Sequence, residues 1–373
     1  MPEIQINTEA VLHNLEVIRG LEHAWGFTLL PVLKMAAAHP GITALLHARG
    51  RPSYGVADVD EHLAHSSHAP DSEGRVLTNI PPLHRTDDVT RLFERSAFSR
   101  AEGFHAVDEA ARRQGRKHAA LLMVDLGDMR EGVPAPEALA LLRKVAPASR
   151  RACRENGARV IGLGVTMGCL YGTCPDEENM ACLEDLASKA ENALGHSLNV
   201  ISLGGTVFWN WFAERKKTLR LPAGCALEFR MGDPLLLGYD MYRNLPLQGG
   251  DFRRDTFRLS ATVLEVHDRD IRPPRHSVHN GHGLSVAPLL TGKRKRALID
   301  CGSLHTDVAG LSLQMPGAEI VDFSGNYAIL DVTDCPRPPL VGERVHFLPS
   351  YWAVARACRV PQVIKTTYTA RNT

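Results

Sequence analysis

Short β-rich runs alternate with helical stretches through the first two thirds of the chain, and this alternation limits the possible folds more than any other feature. The segments between the runs carry apolar residues at helical spacing and end on glycine or on polar breaks. Strands that alternate with helices form parallel sheets, so eight such units predict an α/β protein with a (β/α)₈ barrel of the TIM type. The eight runs are TLLPVLK, SYGVADV, RVLTNI, GFHAVD, AALLMVDLG, RVIGLGVT, NVISLGG and ALEFRMG.

The pattern changes near residue 245, beyond which we expect no convincing helix. Four β-like runs follow, separated by turn signals such as RPPRHSVHNGHG and DCPRPPLVGE. They predict a second, mostly antiparallel β domain. We place the barrel at 1–242 and the β domain at 243–373, with residues 1–8 able to pair with the β domain.

Composition narrows the possible partners. With 43 basic and 42 acidic residues, the chain has no overall field that would recruit nucleic acid or an anionic membrane. No run approaches the ~18 apolar residues of a spanning helix, and the polar N-terminus does not resemble a targeting signal. We expect a cytoplasmic protein with no nucleic-acid or membrane partner. The eight cysteines form no CxxC pair and are expected to be reduced.

Lys34 ends the first β-rich run, in TLLPVLKMAAAHPGI. A charged lysine is costly to bury unless it is paired or neutralised. It is therefore either the first solvated residue after a strand or an amine held at the mouth of the barrel. In the second case its amine can bond covalently to a carbonyl.

Other polar and glycine residues also fall at the predicted strand ends, where working residues of such barrels lie. Glycine-rich loops after the seventh and eighth strands predict a phosphate site, although such turns occur in any barrel. A lysine together with a phosphate site predicts pyridoxal 5′-phosphate (PLP) as the cofactor. The strand-end residues are Arg130, Gly205, Thr206, Arg230, Gly232 and Asp233.

Arg230 bears on the type of reaction. A guanidinium does not give up its proton in a protein, so an arginine facing the pyridine nitrogen would hydrogen-bond it without protonating it. The ring is then a weaker electron sink, which favours brief loss and return of a Cα proton, as in racemisation. The alternative is a salt bridge at the rim, with Asp233 or Glu228 as partner.

Several motifs resemble the alanine racemase-like, fold-type III PLP enzymes, and among them the ornithine racemase-like branch. The opening EIQINTEAVLHNLEVI is similar to the first strand and helix of the family. The segments LLMVDLGDMREGV, GVTMGCLYGTCPDEENM and EFRMGDPLLLG resemble the ornithine racemase branch, and AILDVTD and YWAVARACRVPQV match the β domain. The resemblance spans nearly the whole chain.

The resemblance implies a role for each matched residue. Lys34 would bond to PLP and move the Cα proton on one face, and Arg130 would lie near the phenolic oxygen and the substrate carboxylate. Arg230 would face the pyridine nitrogen. The phosphate would be held by Gly205, Thr206, Gly232 and Tyr351. A homodimer with a composite active site is implied, with ornithine or another basic amino acid as substrate.

The chain also departs from the family pattern. Ala38 stands where alanine racemases have a phosphate-binding tyrosine, and Gly205 stands where the ornithine racemase branch has asparagine. No tyrosine occurs in residues 266–285, where the second base of alanine racemase is expected. The opposite-face base is therefore sought among His282, Cys301 and His305, with His279 and Tyr327 as further possibilities.

The histidine-rich loop allows a second interpretation. His276, His279 and His282 follow an HxxHxxH spacing, with Cys301 and His305 further on, and such side chains can bind zinc. Solvated loop histidines are the simpler explanation, and we predict no metal. The alternatives to a racemase are a metal-assisted PLP lyase of the D-threonine aldolase or D-serine dehydratase type and a non-catalytic PLP homeostasis protein.

Overall fold

The computed structural model describes residues 1–60, 74–215, 219–276, 278, 279, 288 and 290–369. The chain forms two compact units. The larger unit is Val11–Arg253, and the smaller unit combines Met1–Ala10 with Arg254–Thr373.

Within its described residues, the larger unit contains eight parallel strands arranged as a barrel. With strands numbered along the chain, they are β2 (Phe27–Pro31), β3 (Tyr54–Val56), β4 (Arg75–Leu77), β5 (Arg95–Phe98), β6 (Lys117–Asp125), β8 (Gly157–Thr166), β9 (Val200–Gly204) and β10 (Ala226–Met231). They lie in the order β2-β10-β9-β8-β6-β5-β4-β3. The ring closes where Val32 pairs with Gly55, and Leu33 N donates to Gly55 O over 2.8 Å. The predicted barrel is therefore confirmed.

One predicted strand was wrong. GFHAVD lies inside the helix Ala101–Arg113, and the strand that precedes it is Arg95–Phe98. Phe104, Val107 and Ala111 are buried at the three- and four-residue spacing of a helix. A run of six residues cannot separate the two periodicities, because its apolar positions fit both.

The helices of the chain mostly follow the barrel strands. Their buried positions recur at helical spacing, as in the helix Glu177–Leu194, which begins with an Asp176–Asn179 capping box and ends at Gly195. The described helices up to residue 236 are α1 (Thr8–Trp25), α2 (Pro40–Ala48), α3 (Thr86–Leu92), α4 (Ala101–Arg113), α5 (Ala135–Ala152), α6 (Glu177–Leu194), α7 (Val207–Arg215) and α8 (Asp233–Leu236). Short strands β7 (Val133–Pro134), β11 (Tyr239–Asp240) and β12 (Leu245–Pro246) complete this unit.

The smaller unit is built on a mostly antiparallel sheet, as predicted. Its strands are β1 (Glu3–Asn7), β13 (Phe257–Ile271), β14 (Gly292–Ile299), β15 (Leu311–Leu313), β16 (Glu319–Phe323), β17 (Ala328–Asp331), β18 (Arg344–Pro349) and β19 (Ile364–Tyr368). The main order is β15-β18-β13-β14-β17-β16. The N-terminal strand β1 pairs antiparallel with β13 and parallel with β19.

The expectation of no helix after residue 245 was wrong. The helix α9 (Tyr351–Arg359) follows β18, and the Ser350 side chain caps it by accepting from Ala353 N. Val354 and Cys358 are buried one turn apart, which makes the helix amphipathic. Among the described helices, none is both long and apolar enough to cross a bilayer.

Candidate active site

Lys34 lies just beyond the C-terminal end of the first barrel strand. It begins a single 3-10 turn, Lys34–Ala36, between the buried side chains of Leu33 and Met35, and is itself half-buried. The next two residues, Ala37 and Ala38, have left-handed backbones with φ of 51° and 48°. This conformation is uncommon for residues other than glycine, and such strain is concentrated at functional sites.

The Pro-Gly break after Lys34 starts the next helix. His39 Nδ1 accepts from Gly41 N over 3.1 Å, and Pro40 occupies the first turn of α2. The fixed φ of proline suits this position. The turn that carries Lys34 is therefore held between a strand end and a capped helix.

Arg230 lies inside the barrel and is 7% exposed. Its Nη1 donates to Ser202 Oγ over 2.6 Å, and its Nη2 donates to Thr166 Oγ1 over 3.2 Å. Gly204 makes room for the guanidinium, because a Cβ at that position would lie 2.8 Å from Nη2. Burial lowers the pKa of Arg230 to about 10, against the opposing effect of the Glu228 carboxylate. The group therefore remains a cation at neutral pH.

Arg230 does not form the alternative salt bridge with Glu228 or Asp233. Glu228 forms its ion pair with Arg95, whose Nη2 lies 2.7 Å from Oε2. Asp233 accepts instead from Thr206. The hydrogen bonds of Arg230 to described residues use Nη1 and Nη2, which leaves its Nε–H as a donor.

Arg130 lies in the loop after β6, as its position in the sequence predicted. Its Nη1 is 2.9 Å from Cys169 Sγ, and its Nε and Nη2 pair with the Glu131 carboxylate. Glu131 also accepts from Thr166 Oγ1 over 2.9 Å. Because Thr166 accepts from Arg230 in turn, the two arginines are linked through one hydroxyl and one carboxylate.

The loops after β9 and β10 require glycine. Gly205 has a φ of 109°, and a Cβ there would lie 2.1 Å from Met167 O. At Gly232 a Cβ would lie 2.4 Å from Val32 O. These close approaches of backbone to backbone exclude side chains and leave N–H groups at the starts of α7 and α8 available to an anion.

Thr206 and Asp233 connect these two loops. Both are buried, and Thr206 Oγ1 donates to Asp233 Oδ2 over 2.7 Å. Burial raises the pKa of Asp233 to about 6, while the Thr206 hydrogen bond and the Lys34 ammonium act in the opposite direction. Lys34 is thus within electrostatic range of the loops predicted to hold phosphate.

The predicted residues of the smaller unit have different environments. Tyr351 begins α9 and is half-buried. Cys301 is fully buried, and burial, with Asp300 adding to it, raises the pKa of its thiol to about 12. His305 Nδ1 accepts from Gly302 N over 3.1 Å, and burial lowers the pKa of this imidazole. His282 lies outside the described residues.

The absence of a bound metal stays a prediction. Among the residues that the structure describes, no three His, Cys, Asp or Glu side chains form a group that could hold an ion. His276 and His279 are exposed, and the third histidine of the motif is not described.

Sequence reasoning missed the polar residues that connect the arginines. Glu131, Thr166, Ser202 and Arg95 carry no motif of their own. Their role follows only from the ring of strands, which brings β5, β8, β9 and β10 together around one interior. The one signal in the sequence was Arg230 itself, because an arginine at the end of a buried strand needs hydrogen-bond acceptors nearby.

The donors of the larger unit fit PLP. Lys34 supplies an amine at the barrel mouth, and the two glycine loops supply backbone donors for a phosphate. Arg230 supplies an Nε–H that is not used in its hydrogen bonds to described residues and suits the pyridine nitrogen. The combination of a barrel, an antiparallel β domain and this donor set defines a fold-type III PLP enzyme.

Comparison with known proteins identifies the family. The model of the family "Alanine racemase, N-terminal domain" matches residues 6–220. The chain belongs to the alanine racemase family, a family of PLP-dependent isomerases of amino acids. The predicted family, cofactor and enzyme class are therefore confirmed.

Two curated relatives match well beyond the N-terminal domain. A lysine racemase from Thermotoga maritima is 25% identical over 364 residues, which cover 98% of this chain and 98% of that protein. An ornithine racemase from Acetoanaerobium sticklandii is 26% identical over 282 residues, or 76% of each chain.

Solved structures share the fold at lower identity. An alanine racemase from Streptomyces lavendulae has a TM-score of 0.75 and 17% identity, covering 99% of this chain and 97% of that one. A D-threonine aldolase from Filomicrobium marinum has a TM-score of 0.68 and 19% identity, covering 96% and 89%. At this identity the likeness concerns the fold and does not separate the two reactions.

Proposed function

We propose that the protein racemises a free basic amino acid, with ornithine as the first substrate to test. The observation that carries this proposal is the grouping in one barrel of Lys34, the Thr206–Asp233 loops and the buried Arg230. The similarity to a lysine racemase and an ornithine racemase supports the choice of a basic side chain.

When bound, PLP supplies an aldehyde for the substrate amine and a ring that stabilises negative charge at Cα. Lys34 removes or returns the Cα proton on one face. Arg230 would donate its Nε–H to the pyridine nitrogen without giving up its proton, which would limit electron withdrawal and favour return of the Cα proton.

The remaining cofactor contacts are assigned by position. Backbone N–H groups at Gly205 and Gly232, with the side chain of Thr206, would hold the phosphate, and the role of Tyr351 stays a prediction from the sequence. Asp233 is the buried carboxyl that fixes Thr206. Arg130, whose guanidinium pairs with the Glu131 carboxylate, would lie near the phenolic oxygen and the substrate carboxylate.

For the proton on the opposite face of the substrate Cα, we propose a base from the β domain of a second subunit. The working form is then a homodimer, and we propose that it is cytoplasmic. His282, Cys301 and His305 are the possible bases. The pKa of the Cys301 thiol, raised to about 12, makes it a poor base at neutral pH. The lowered pKa of His305 keeps its imidazole neutral there, although its Nδ1 already accepts from Gly302.

Exchange of the Cα proton in D₂O, followed by proton NMR, tests the function. The purified protein with PLP is incubated with L- and D-ornithine, lysine, arginine, alanine, serine and threonine. Loss of the Cα signal with inversion of chirality establishes racemisation and names the substrate. Lys34→Ala should abolish it, whereas Lys189→Ala, at an exposed lysine paired with Asp185, should not.

Other outcomes would replace the proposal. Exchange of one enantiomer only, or release of glycine or a keto acid, would indicate a PLP lyase, and activity lost on chelation would add a metal. Bound PLP without any exchange would indicate a non-catalytic binding protein. Size-exclusion chromatography with light scattering tests the dimer, and a monomer that racemises would contradict the composite site.

A further inference from the structure

A continuous line of buried hydrogen bonds leads from Arg230 through Ser202 to the Glu228 carboxylate. Arg230 Nη1 donates to Ser202 Oγ over 2.6 Å, and Ser202 Oγ donates to Glu228 Oε1 over 2.6 Å. Glu228 also accepts from Arg95 Nη2 at 3.0 and 2.7 Å. The four side chains come from three barrel strands, β5, β9 and β10.

The direction of these hydrogen bonds is fixed by Ser202. A hydroxyl has one proton and two acceptor lone pairs. Since an ionised carboxylate can only accept, the Ser202 proton points to Glu228 and a lone pair faces Arg230. Ser202 is fully buried and Glu228 is 9% exposed, so water does not replace either contact.

The other side of Arg230 is fixed in a similar way. Its Nη2 donates to Thr166 Oγ1, whose own proton goes to Glu131. The charges around Arg230 are therefore Glu228 and Glu131, each paired with a second arginine, Arg95 and Arg130 respectively. Both Nη groups are held by oriented hydroxyls, and no hydrogen bond to a described residue uses the Nε–H.

We propose that Glu228, acting through the Ser202 hydroxyl, is a positioning residue that sets the orientation of the Arg230 guanidinium and thereby the strength of its hydrogen bond to the pyridine nitrogen. This inference rests on the proposed function, in which Arg230 faces the cofactor. The competing view is that Glu228 only neutralises Arg95 and stabilises the barrel.

The two views differ in what Glu228→Gln does to the bound cofactor. The ¹⁵N resonance of PLP labelled at the pyridine nitrogen reports that hydrogen bond in the holoenzyme. We expect the resonance to move toward the value of a pyridine with no donor. We also expect kcat for the racemised substrate to fall about tenfold, with KM changing by less than about twofold.

Glu22→Gln is the matched control. Glu22 forms a comparably buried ion pair with Arg51 in the same unit, with side chains 12% and 19% exposed, and has no contact with Ser202 or Arg230 in the described hydrogen bonds. It should lower the unfolding midpoint without moving the ¹⁵N resonance. A Glu228→Gln protein that matches this control in resonance and kcat would overturn the inference.

Ser202→Ala provides the second variant, because it keeps both charged groups and removes only the connecting hydroxyl. It should shift the resonance in the same direction as Glu228→Gln, and the double variant should add little to either effect. Additive effects would show that Glu228 and Ser202 act independently and would also overturn the inference. Failure of the wild-type protein to exchange any Cα proton would instead contradict the proposed function.

Discussion

Thr206 donates its hydroxyl proton to Asp233 Oδ2 over 2.7 Å, and this hydrogen bond joins the loops that follow two neighbouring barrel strands. It places a buried carboxyl group within the proposed phosphate site. Burial raises the pKa of Asp233 to about 6, although Thr206 and the Lys34 ammonium act against that shift. The charge of this group should therefore depend on pH within the working range.

Replacing Asp233 by Asn should change how stability depends on pH in the cofactor-free protein. The pKa of the carboxyl is higher folded than unfolded, so the folded state binds more protons near pH 5 and stability falls as pH rises through about 6. Asp233→Asn removes this penalty. We expect its unfolding free energy relative to wild type to rise by about 1 kcal/mol between about pH 5 and pH 8.

Urea unfolding at both pH values measures this difference. Asp185→Asn is the control, because Asp185 is exposed and paired with Lys189. The unfolding free energy of this variant should change with pH by the same amount as that of wild type. Parallel behaviour of Asp233→Asn as well would show that Asp233 is ionised throughout this range, and would remove it as a pH-dependent element of the site.

Gly205→Ala should both destabilise the barrel and weaken PLP binding. The new Cβ would lie 2.1 Å from Met167 O, in a backbone with φ of 109°. Strain and displacement of the loop should together cost about 2–4 kcal/mol. Gly224→Ala separates the two causes, since Gly224 also has a positive φ, 78°, but open space around its Cβ. That variant should cost about 1 kcal/mol and leave the PLP dissociation constant unchanged in an absorbance titration.

The base that serves the second face of the substrate Cα can be identified by comparing Cα–H exchange of the two enantiomers in each variant. A variant without that base should exchange the Cα proton of one enantiomer through Lys34 and leave the other unlabelled. Cys301→Ala should racemise nearly as well as wild type, because its thiol is buried and has a pKa raised to about 12. One of His305→Gln and His282→Gln should show one-sided exchange and so identify the base, and the other should still exchange both enantiomers. Loss of exchange from one enantiomer in Cys301→Ala would contradict this ordering.

The fold and the ends of the strands could be predicted because they depend on local patterns. Lys34 and Arg230 each close an apolar run, and the barrel rule places such residues at the same mouth. The run GFHAVD was misassigned because Phe104 and Ala106 fit the alternation of a strand, whereas Phe104 and Val107 fit the spacing of a helix. The helix α9 was missed because it follows a strand directly within a β-rich region.

The hydrogen-bond partners within the barrel could not be predicted from the sequence. Ser202 and Thr166 are single hydroxyls within apolar strands, and nothing in their local sequence separates them from ordinary core positions. Their contacts to Arg230 depend on the order of strands around the ring, which joins β8, β9 and β10. Glu131 lies in the loop after β6 and its partner Thr166 ends β8, so no local pattern joins the two residues.

Asn14 offers a test of how the framework supports the site. This residue of α1 is fully buried, and its Nδ2 donates to Leu235 O over 3.2 Å and to Arg253 O over 2.9 Å. Its Oδ1 accepts from Arg253 N over 2.8 Å. Leu235 belongs to the short helix α8 that begins at Asp233, so the side chain of Asn14 holds the element that carries a proposed phosphate loop.

Asn14→Ala should remove three hydrogen bonds to the backbone of Leu235 and Arg253 and cost about 2–4 kcal/mol of unfolding free energy. The PLP dissociation constant should rise as well, because α8 loses its anchor. Asn179→Ala is the control, since Asn179 completes a capping box at the solvent-facing start of α6 and should cost about 1 kcal/mol. Urea unfolding and PLP titration measure both quantities. Equal losses in the two variants, with PLP affinity unchanged, would show that Asn14 is an ordinary stabilising contact without influence on the site.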